Sequence, residues 1–529
     1  MTSYFTTSFI AVFLPATFLV YLLAPRRARG LVLLLASYAF LLIISRDTLF
    51  YLFVATAVTY GVGLGLTALI HARNTSIKEK RGKRSVIKRK YTRYMLALLT
   101  LGLLVLFGML IALRYLGFFG RIASFVMGLF GVQKEFQQPF FGSAMGISFY
   151  TLMAASYLFD VYHERIAADR NPLRVALYLS FFPQIMEGPI ARYEQTASAL
   201  WAGNDVSWDD VYAGVTRMTW GFAKKLIVAD RLNMLVGTVF DDFQSYNGGL
   251  IAIAAVLYTI QLYCDFSGCM DVALGMGQLL GVQLPENFRQ PFFSQTASEF
   301  WQRWHITLGA WLKDYVYYPI ALSKPFKRLT MRARKTLGRR FGPLVTSGIA
   351  LFSVWFLNGL WHGAGSQYLF FGMYYFVIIL LGGFVEPLAQ ELAVRFGINR
   401  EAPAYRAFRT ARTLVIVFFG ELIFRADSMA AGLRMIEKIV LGFTLAPLHD
   451  GSLLRLGLDE KDFGIIAIVC VAVLGYDLLK ERGIDPLVWL TKRPELLRWA
   501  LWLLLFLCVV VFGAYGIGYV PVDPMYAQY

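Results

Sequence analysis

Two histidines in apolar stretches carry the strongest chemical signal in this sequence of 529 residues. His305 lies in SEFWQRWHITLGAWLKDYVYYPI (298–320) and His362 lies in NGLWHGAG (358–365), although the whole chain has only five histidines. An imidazole has an intrinsic pKa of about 6.5, which makes it an effective general base near neutral pH. We therefore predict that His362 and His305 are catalytic.

The aromatic residues around His305 recur at helical spacing. Phe300, Trp304 and Trp311 lie at i, i+4 and i+11, on one face of a helix. This pattern predicts one continuous helix over residues 298–320, with His305 in a buried aromatic stripe. Such a stripe would exclude water that would otherwise hydrolyse a reactive donor.

One helical turn before His362, Asn358 is placed to orient the imidazole ring or to stabilise charge. Other polar and aromatic residues lie near the two histidines or at polar breaks in apolar segments, and we expect them to bind substrate. The predicted substrate-binding residues are Asn358, Trp361, Trp304, Trp301, Arg303, Asp265 and Ser267.

The composition places these residues in a membrane. Hydrophobic residues make up 57% of the chain and charged residues 16%, the mean hydropathy is +0.54, and apolar runs near the length of a bilayer-spanning helix recur. An ionisable ring is costly to bury there, so function is the default hypothesis for both histidines. The predicted fold class is an all-α polytopic membrane protein. We expect about ten to twelve transmembrane helices, plus short re-entrant and interfacial helices around a central funnel or tunnel.

The net charge of +17 is concentrated in two basic blocks, at 73–93 and 324–340. Both blocks lie between apolar segments, as the positive-inside rule expects of cytoplasmic loops, and this distribution argues against nucleic acid as a partner. The pattern predicts a multi-pass membrane protein with its N-terminus outside. It leaves open whether a basic loop also attracts a phosphorylated or acidic cytosolic donor.

The character of the apolar runs divides the chain into three parts. Residues 1–142 and 387–529 contain ordinary apolar spans, whereas the runs in residues 143–386 are shorter and are interrupted by polar and helix-breaking residues. Irregular backbone at membrane depth survives only where protein or a water-filled cavity surrounds it. We therefore expect the middle part to line a cavity.

Within the middle part, the segment 208–232 has the periodicity of an amphipathic helix. Lysines on the polar face of such a helix extend toward the headgroups of the membrane. This pattern predicts that Lys224 and Lys225 lie at the membrane interface.

Motifs of several other enzyme classes are missing from the sequence. No G-x-S-x-G motif indicates a serine acyl-enzyme, and no H-E-x-x-H motif or Cys/His cluster indicates a metal site. The remaining histidines, His71, His163 and His449, lie in polar surroundings that are typical of structural or surface residues. We therefore predict no metal and no tightly bound cofactor.

Six segments between residues 143 and 375 together carry a family resemblance. They are SFYTLMAASYLFDVY, FFPQIMEGPIARYE, GFAKKLIVADRL, YCDFSGCMDVALGMGQLLGVQLPENFRQPFFS, EFWQRWHITLGAWLKDYVYYPI and NGLWHGA. In this order, and with both histidines in their motifs, they resemble the membrane-bound O-acyltransferase (MBOAT) family. The resemblance is to the bacterial branch that serves alginate O-acetylation and the D-alanylation of teichoic acid. It implies a location in the bacterial cytoplasmic (inner) membrane.

The resemblance implies a fold and an activity. Family members are multi-span enzymes whose irregular core, here residues 143–386, encloses a passage between the two membrane faces. The histidine of the WHG motif, here His362, is the catalytic one, and that of the RWH motif, here His305, is the second important one. An acyl group passes from a cytosolic thioester, acyl-CoA (acetyl-CoA) or an acyl carrier protein, to a hydroxyl on the other side. A separate extracytoplasmic partner acyltransferase completes the transfer to a polysaccharide or another envelope polymer.

These observations favour an O-acetyltransferase for an extracytoplasmic polysaccharide. In this reading His362 is the general base on the acceptor hydroxyl or on a partner's nucleophile, and His305 positions or polarises the thioester.

Two alternatives stay open. In the first alternative, the protein is also an acyltransferase, but its donor is D-alanine on a carrier protein and its acceptor is teichoic acid. From another class comes a transporter or flippase of envelope polymers, for which paired broken helices in an internal repeat are typical. The breaks here concentrate in the middle of the sequence and no repeat is visible in it, which favours the enzyme.

Overall fold

A computed structural model describes residues 4–79, 83–132, 144–515 and 522. These residues form helices and connecting segments, and the β-pairing among them is an isolated bridge between Phe288 and Trp304. The predicted all-α class is confirmed.

Eight helices in the described part of the chain are long and apolar enough to cross a membrane, by length and composition. They are Arg26–Ile44, Arg46–Lys78, Arg84–Leu129, Gly248–Leu279, Lys324–His362, Ser366–Arg395, Glu460–Glu481 and Glu495–Phe512. The protein is therefore a multi-pass membrane protein. The eight helices are fewer than the ten to twelve expected from span length. The apolar helix Phe9–Leu23 is shorter than these eight and is not counted among them.

The first of two compact units contains the described residues up to Val215 together with Ala273–Pro285. Its helices are α1 (Leu14–Leu23), α2 (Arg26–Ile44), α3 (Arg46–Lys78), α4 (Arg84–Leu110), α5 (Leu116–Leu129), α6 (Ile147–Tyr162), α7 (Pro172–Ser180), α8 (Phe182–Ile185) and α9 (Tyr193–Ala202). Helix α3 packs against α4, α6 and α7. A Cβ atom at Gly63 of α3 would lie 2.9 Å from the ring of Tyr157, so the glycine allows α6 to approach closely.

The second unit contains Thr216–Val272 and the described residues from Glu286 onward. The remaining helices are α10 (Trp208–Phe222), α11 (Asp230–Asp241), α12 (Gly248–Leu279), α13 (Ala297–Arg303), α14 (Ile306–Leu312), α15 (Tyr318–Ala321), α16 (Lys324–His362), α17 (Ser366–Arg395), α18 (Pro403–Arg425), α19 (Met429–Leu441), α20 (Glu460–Glu481), α21 (Pro486–Thr491) and α22 (Glu495–Phe512). Helices α10 and α12 contribute residues to both units. An aromatic core in the second unit joins α16, α17 and α18 through Trp355, Phe371, Tyr375 and Phe424.

The basic segment 324–340 is helical, so its prediction as a loop is wrong. It forms the beginning of α16, which continues to His362 past a break at Gly338 (φ 78°). All eight of its Lys and Arg side chains are exposed. Lys and Arg are good helix formers, so a run of them does not require a loop. The other block, 73–93, covers the end of α3 and the start of α4, and its residues 80–82 lie outside the described residues.

Lys224 and Lys225 are buried inside the protein, so their prediction as interface residues is wrong. Their exposed fractions are 4% and 0%. The Nζ atom of Lys225 lies 2.6 Å from Asp230 Oδ1 and 2.5 Å from Asp265 Oδ1. Both lysines belong to a π-helical segment, Ala223–Ala229, whose wider turn shifts side chains away from the face that α-helical spacing assigns.

Replacing Lys225 by Met should strongly destabilise the protein, because Asp230 and Asp265 would lose the ammonium group that they share. Removing one partner of a buried ion pair costs about 3–5 kcal/mol of unfolding free energy. The control is Arg340→Ala, which removes an exposed ion pair with Glu391 (2.6 Å). This substitution should change the unfolding free energy by less than about 1 kcal/mol. Thermal unfolding in detergent measures the stability of both variants. Equal effects of the two substitutions would contradict the buried ion pairs of Lys225.

Candidate active site

The helical course breaks at His305, so the prediction of one continuous helix over 298–320 is wrong. Helix α13 ends at Arg303, Trp304 is extended, and His305 has a left-handed backbone (φ 47°, ψ 51°) before α14 begins at Ile306. This conformation is strained for a residue with a Cβ atom, and strained residues cluster at functional sites. The aromatic stripe continues on both sides of the break, which is why residue spacing does not reveal it.

Asn287 holds this turn with both its side chain and its backbone. Its Oδ1 atom accepts hydrogen bonds from the backbone N–H and the Oγ1 hydroxyl of Thr307, each over 3.0 Å, and lies 3.3 Å from His305 Nδ1. Its carbonyl oxygen accepts a hydrogen bond from the Ile306 N–H over 3.0 Å. Asn287 was not predicted from the sequence as a site residue, because it lies among Glu286, Arg289 and Gln290 and no local pattern distinguishes it from them.

The turn is fixed from further directions as well. Phe288 forms the isolated β-bridge with Trp304, and the N–H of Arg289 donates to the carbonyl of Arg303 over 2.9 Å. The ring of Phe266 packs edge-on against His305 with a centroid distance of 4.8 Å. The position of the imidazole is therefore set by backbone pairing and by ring packing together.

His362 is the last residue of α16 and is surrounded by aromatic rings. The centroids of Phe424 and Phe371 lie 5.1 Å and 5.8 Å from that of its imidazole, both nearly perpendicular to it. Helix α17 approaches α16 so closely that a Cβ atom at Gly359 would lie 2.5 Å from the Tyr368 carbonyl oxygen. This close packing brings the aromatic residues of α17 against His362.

Both histidines line one cavity of about 390 Å³. Asn358, Trp301 and Trp304 line the same cavity. Trp361 contacts both imidazoles, with its centroid 5.4 Å from that of His305 and 5.0 Å from that of the other histidine. The structure thus brings together both predicted catalytic residues and four of the predicted substrate-binding residues.

Two buried polar atoms in the cavity wall have no hydrogen-bond partner among the described residues. They are Asn358 Oδ1, which is an acceptor, and Trp301 Nε1, which is a donor. A buried polar atom without a partner is costly. The two atoms are therefore suited to bind a substrate that supplies both a donor and an acceptor.

The His305 imidazole is neutral at physiological pH. It lies outside the eight candidate membrane-spanning helices, and burial lowers its pKa to about 3 because the charged ring would lose its hydration. A neutral imidazole offers one N–H donor and one acceptor nitrogen. Which nitrogen is the donor then decides what the ring can do.

Arg303, which was predicted to bind substrate, does not line the histidine cavity. Its guanidinium pairs with Glu299 one turn earlier on α13 and with Glu481 at the end of α20, each at 2.7 Å. These ion pairs tie the end of α13 to α20.

Asp265 and Ser267, also predicted to bind substrate, belong instead to a charged cluster that sequence analysis did not identify. Asp265 pairs with Lys225, and Ser267 accepts a hydrogen bond from Lys224 Nζ over 2.8 Å. Neither residue lines the histidine cavity. The signal for this cluster is the presence of charged residues in apolar, buried helices, where each needs a counter-ion.

A second, polar cavity of about 40 Å³ lies beside this charged cluster. Arg217 in its wall pairs with Asp271 at 3.0 Å and with Glu286 at 2.6 Å, and Lys224 pairs with Asp271 at 2.6 Å. Asn287 lines this cavity too, so it lies between the charged cluster and the His305 turn. No group of three or more His, Cys, Asp or Glu side chains is arranged to hold a metal ion among the residues described.

Together, an all-helical multi-pass architecture and two buried imidazoles on one cavity define a membrane-embedded enzyme. The family model described as MBOAT, membrane-bound O-acyltransferase family, matches residues 40–334, which is more than half of the chain and includes His305. The chain belongs to this family and is an O-acyltransferase. The alternative of a polymer transporter or flippase is not supported.

Named relatives cover much of the chain. A probable alginate O-acetylase (AlgI) of Pseudomonas syringae pv. tomato is 32% identical over 81% of this chain and 73% of its own length. A peptidoglycan O-acetyltransferase of Helicobacter pylori is 28% identical over 51% of this chain and 53% of its own. A teichoic acid D-alanyltransferase of Bacillus subtilis is 29% identical over 46% of this chain and 60% of its own. Their names describe the transfer of an acetyl or a D-alanyl group.

Gly359→Ala should destabilise the protein and lower its acyl transfer, because the new methyl group would push α17 away from the histidine cavity. Overpacking of this kind costs about 1–3 kcal/mol. The control is Gly382→Ala on the exposed side of α17, where a Cβ atom meets nothing within 4 Å. That change should leave stability equal or raise it by about 0.5–1 kcal/mol. Unfolding temperatures in detergent measure the stability of both variants. If Gly359→Ala does not lower the unfolding temperature, or if Gly382→Ala lowers it as much, the close approach of α16 and α17 at Gly359 is contradicted.

Proposed function

We propose that this O-acyltransferase moves an acetyl group from a cytosolic thioester to a hydroxyl group of an extracytoplasmic polysaccharide, or to a partner protein that modifies the polysaccharide. The observation that carries the proposal is one cavity lined by both histidines, by Trp301 and by Asn358. Trp301 Nε1 and Asn358 Oδ1 are a donor and an acceptor that have no hydrogen-bond partner among the described residues. The similarity to alginate and peptidoglycan O-acetyltransferases supports the acetyl group and the polysaccharide.

In the proposed reaction His362 acts as the general base. It removes the proton from the attacking hydroxyl while the oxygen bonds to the thioester carbonyl carbon. The tetrahedral intermediate then collapses, the carbon–sulfur bond breaks, and the proton passes to the leaving thiolate. Trp301 Nε1–H is suited to donate a hydrogen bond to the negative carbonyl oxygen, and Asn358 Oδ1 to accept one from the substrate.

The second candidate is the transfer of D-alanine from a carrier protein to teichoic acid, which the similarity to teichoic acid D-alanyltransferases favours. The charge of the cavity favours acetyl. A D-alanyl thioester carries an ammonium group, but no Asp or Glu is among the described residues that line the histidine cavity, and Lys313 does line it. A cation would enter without a counter-ion, whereas a neutral acetyl group pays no such desolvation cost.

The donor and the acceptor need separate experiments. The eight exposed basic residues of 324–340 suit either the phosphates of acetyl-CoA or an acidic carrier protein, so we propose this segment as the cytosolic docking surface. Purified protein given labelled acetyl-CoA or D-alanyl-charged carrier protein distinguishes the donors. Mass spectrometry of envelope polymers from cells with and without the gene identifies the acceptor.

We also propose that the protein lies in the bacterial inner membrane with its N-terminus outside and its two basic blocks in the cytosol. An extracytoplasmic partner acyltransferase would then receive the acetyl group on the outer side. Labelling of single cysteines from outside intact cells tests this orientation, since residues of 324–340 should stay unlabelled.

Replacing His362 by Gln should lower acetyl transfer by roughly 10²–10⁴-fold, the usual contribution of a positioned general base. Gln keeps much of the side-chain volume but cannot take up the proton. His449→Gln, at an exposed histidine, is the control and should keep full activity. Transfer from labelled acetyl-CoA measures both, with gel filtration to confirm folding. A folded His362→Gln enzyme with more than a tenth of wild-type activity would remove the residue from this role.

A further inference from the structure

We propose that Asn287 fixes the tautomer of His305, so that Nδ1 carries the proton and Nε2 is a hydrogen-bond acceptor. The consequence for the reaction rests on the proposed function: His305 positions the bound substrate by accepting a hydrogen bond from it. It does not polarise the thioester carbonyl, since that would require a donor. Asn287 is thus a positioning residue for the reaction.

The orientation of the Asn287 amide is determined by its neighbours. A backbone N–H can only donate, so the amide atom 3.0 Å from the Thr307 nitrogen must be the oxygen. The amide nitrogen points to Met270 Sδ over 3.3 Å, and a thioether sulfur can only accept. Both contacts select the same orientation, which removes the usual ambiguity between the oxygen and nitrogen of an asparagine amide.

The orientation of the amide in turn determines the tautomer of the imidazole. His305 Nδ1 lies 3.3 Å from the same oxygen, and two acceptors cannot form a hydrogen bond with each other. The hydrogen of the neutral ring is therefore on Nδ1, and the lone pair is on Nε2. In histidine sites generally, the hydrogen bond made by one ring nitrogen sets the state of the other in this way.

The arrangement cannot easily reverse, because the ring has little freedom to flip. The carbonyl of Asn287 holds the Ile306 N–H, which keeps the left-handed backbone of His305 in place. The rings of Phe266 and Trp361 lie edge-on to the imidazole at 4.8 Å and 5.4 Å. A flipped ring would have to break the contact with the amide oxygen inside this aromatic packing.

For the proposed reaction, this tautomer separates the roles of the two histidines. A neutral His305 with its lone pair on Nε2 can hold an N–H or O–H group of the substrate, while Trp301 Nε1–H remains available as a donor for the carbonyl oxygen. In this scheme His362, and not His305, acts as the base.

The direct test is the ¹⁵N NMR spectrum of the wild-type protein with labelled histidine in detergent. The chain has only five histidines, and the signals of His305 are those that disappear in His305→Gln. We expect a protonated Nδ1 and an unprotonated Nε2 at neutral pH. A protonated Nε2 with an unprotonated Nδ1 would overturn the inference, and this result does not depend on any acyl-transfer assay.

Variants of the turn test the positioning role. Asn287→Ala removes the acceptor, and we expect a mixed tautomer and at least a roughly tenfold loss of transfer. Asn287→Asp keeps an oxygen acceptor and should keep Nδ1 protonated. Thr307→Val, the matched control, removes one hydroxyl bond to Asn287 but leaves the amide oxygen, and should also keep the tautomer.

Each outcome of the variants is decisive. A folded Asn287→Ala protein with unchanged tautomer or unchanged transfer overturns the positioning role. If Asn287→Ala does not fold, the wild-type spectrum and Asn287→Asp still decide the tautomer. The expected spectrum in a protein that transfers no acetyl group from acetyl-CoA would count against the proposed donor and not against the tautomer.

Discussion

Polar and charged groups buried in apolar surroundings must find partners inside the protein, and the second unit depends on this constraint. An unsatisfied buried amide or charge costs more than the net gain of an ordinary hydrogen bond. Lys225 meets the requirement with two carboxylates, and Arg217 does so with two others. Asn287 meets it with a backbone N–H, a hydroxyl and an imidazole. Asp265, Thr307 and His305 are themselves buried, so Lys225 and Asn287 and these partners fix one another's positions.

The two histidines are held by different forces. The backbone of His305 is strained. Asn287 accepts hydrogen bonds from the N–H groups of Ile306 and Thr307, which follow His305, and these bonds hold the strained backbone in place. His362 has ordinary helical surroundings at the end of α16, and it is positioned by the edges of Phe371 and Phe424. Gly359 allows α17 to approach α16 closely enough for these rings to contact the imidazole. One imidazole is therefore oriented by polar contacts, and the other by shape.

The sequence predicts the parts of this arrangement that depend on composition and on short-range spacing. The helical membrane class and the family follow from apolar runs and local motifs. The break at His305 does not, because the aromatic positions on either side keep helical spacing across it. The residue responsible, Asn287, lies 18 positions earlier and reaches the turn only through the tertiary fold.

The charged residues show the same limit. Lys224 and Lys225 have the spacing of an exposed polar face, and only their position in a π-helical segment beside Asp265 and Asp271 makes them interior. Pairing between helices that are distant in sequence cannot be seen in a local pattern. Asp265, Ser267 and Arg303 were predicted to bind substrate for a related reason: a polar residue in an apolar segment signals that a partner exists, but not whether the partner is a substrate or another side chain.

This pairing has a chemical consequence for the cavity that holds the histidines. Arg217, Lys224, Asp271 and Glu286 neutralise one another on the far side of Asn287, around the smaller cavity. The larger cavity is left with neutral polar atoms, two imidazoles and the single cation Lys313 among the described residues of its wall. A thioester and an alcohol are both neutral, so they lose little hydration energy on entering such a space, whereas a carboxylate or an ammonium group loses much more. In the proposed reaction, the transfer of a proton from the alcohol to an imidazole is the main charge separation in the cavity, and the polar atoms of its wall are suited to stabilise it. The charge pairing that stabilises the fold thereby also leaves this cavity suited to neutral reactants.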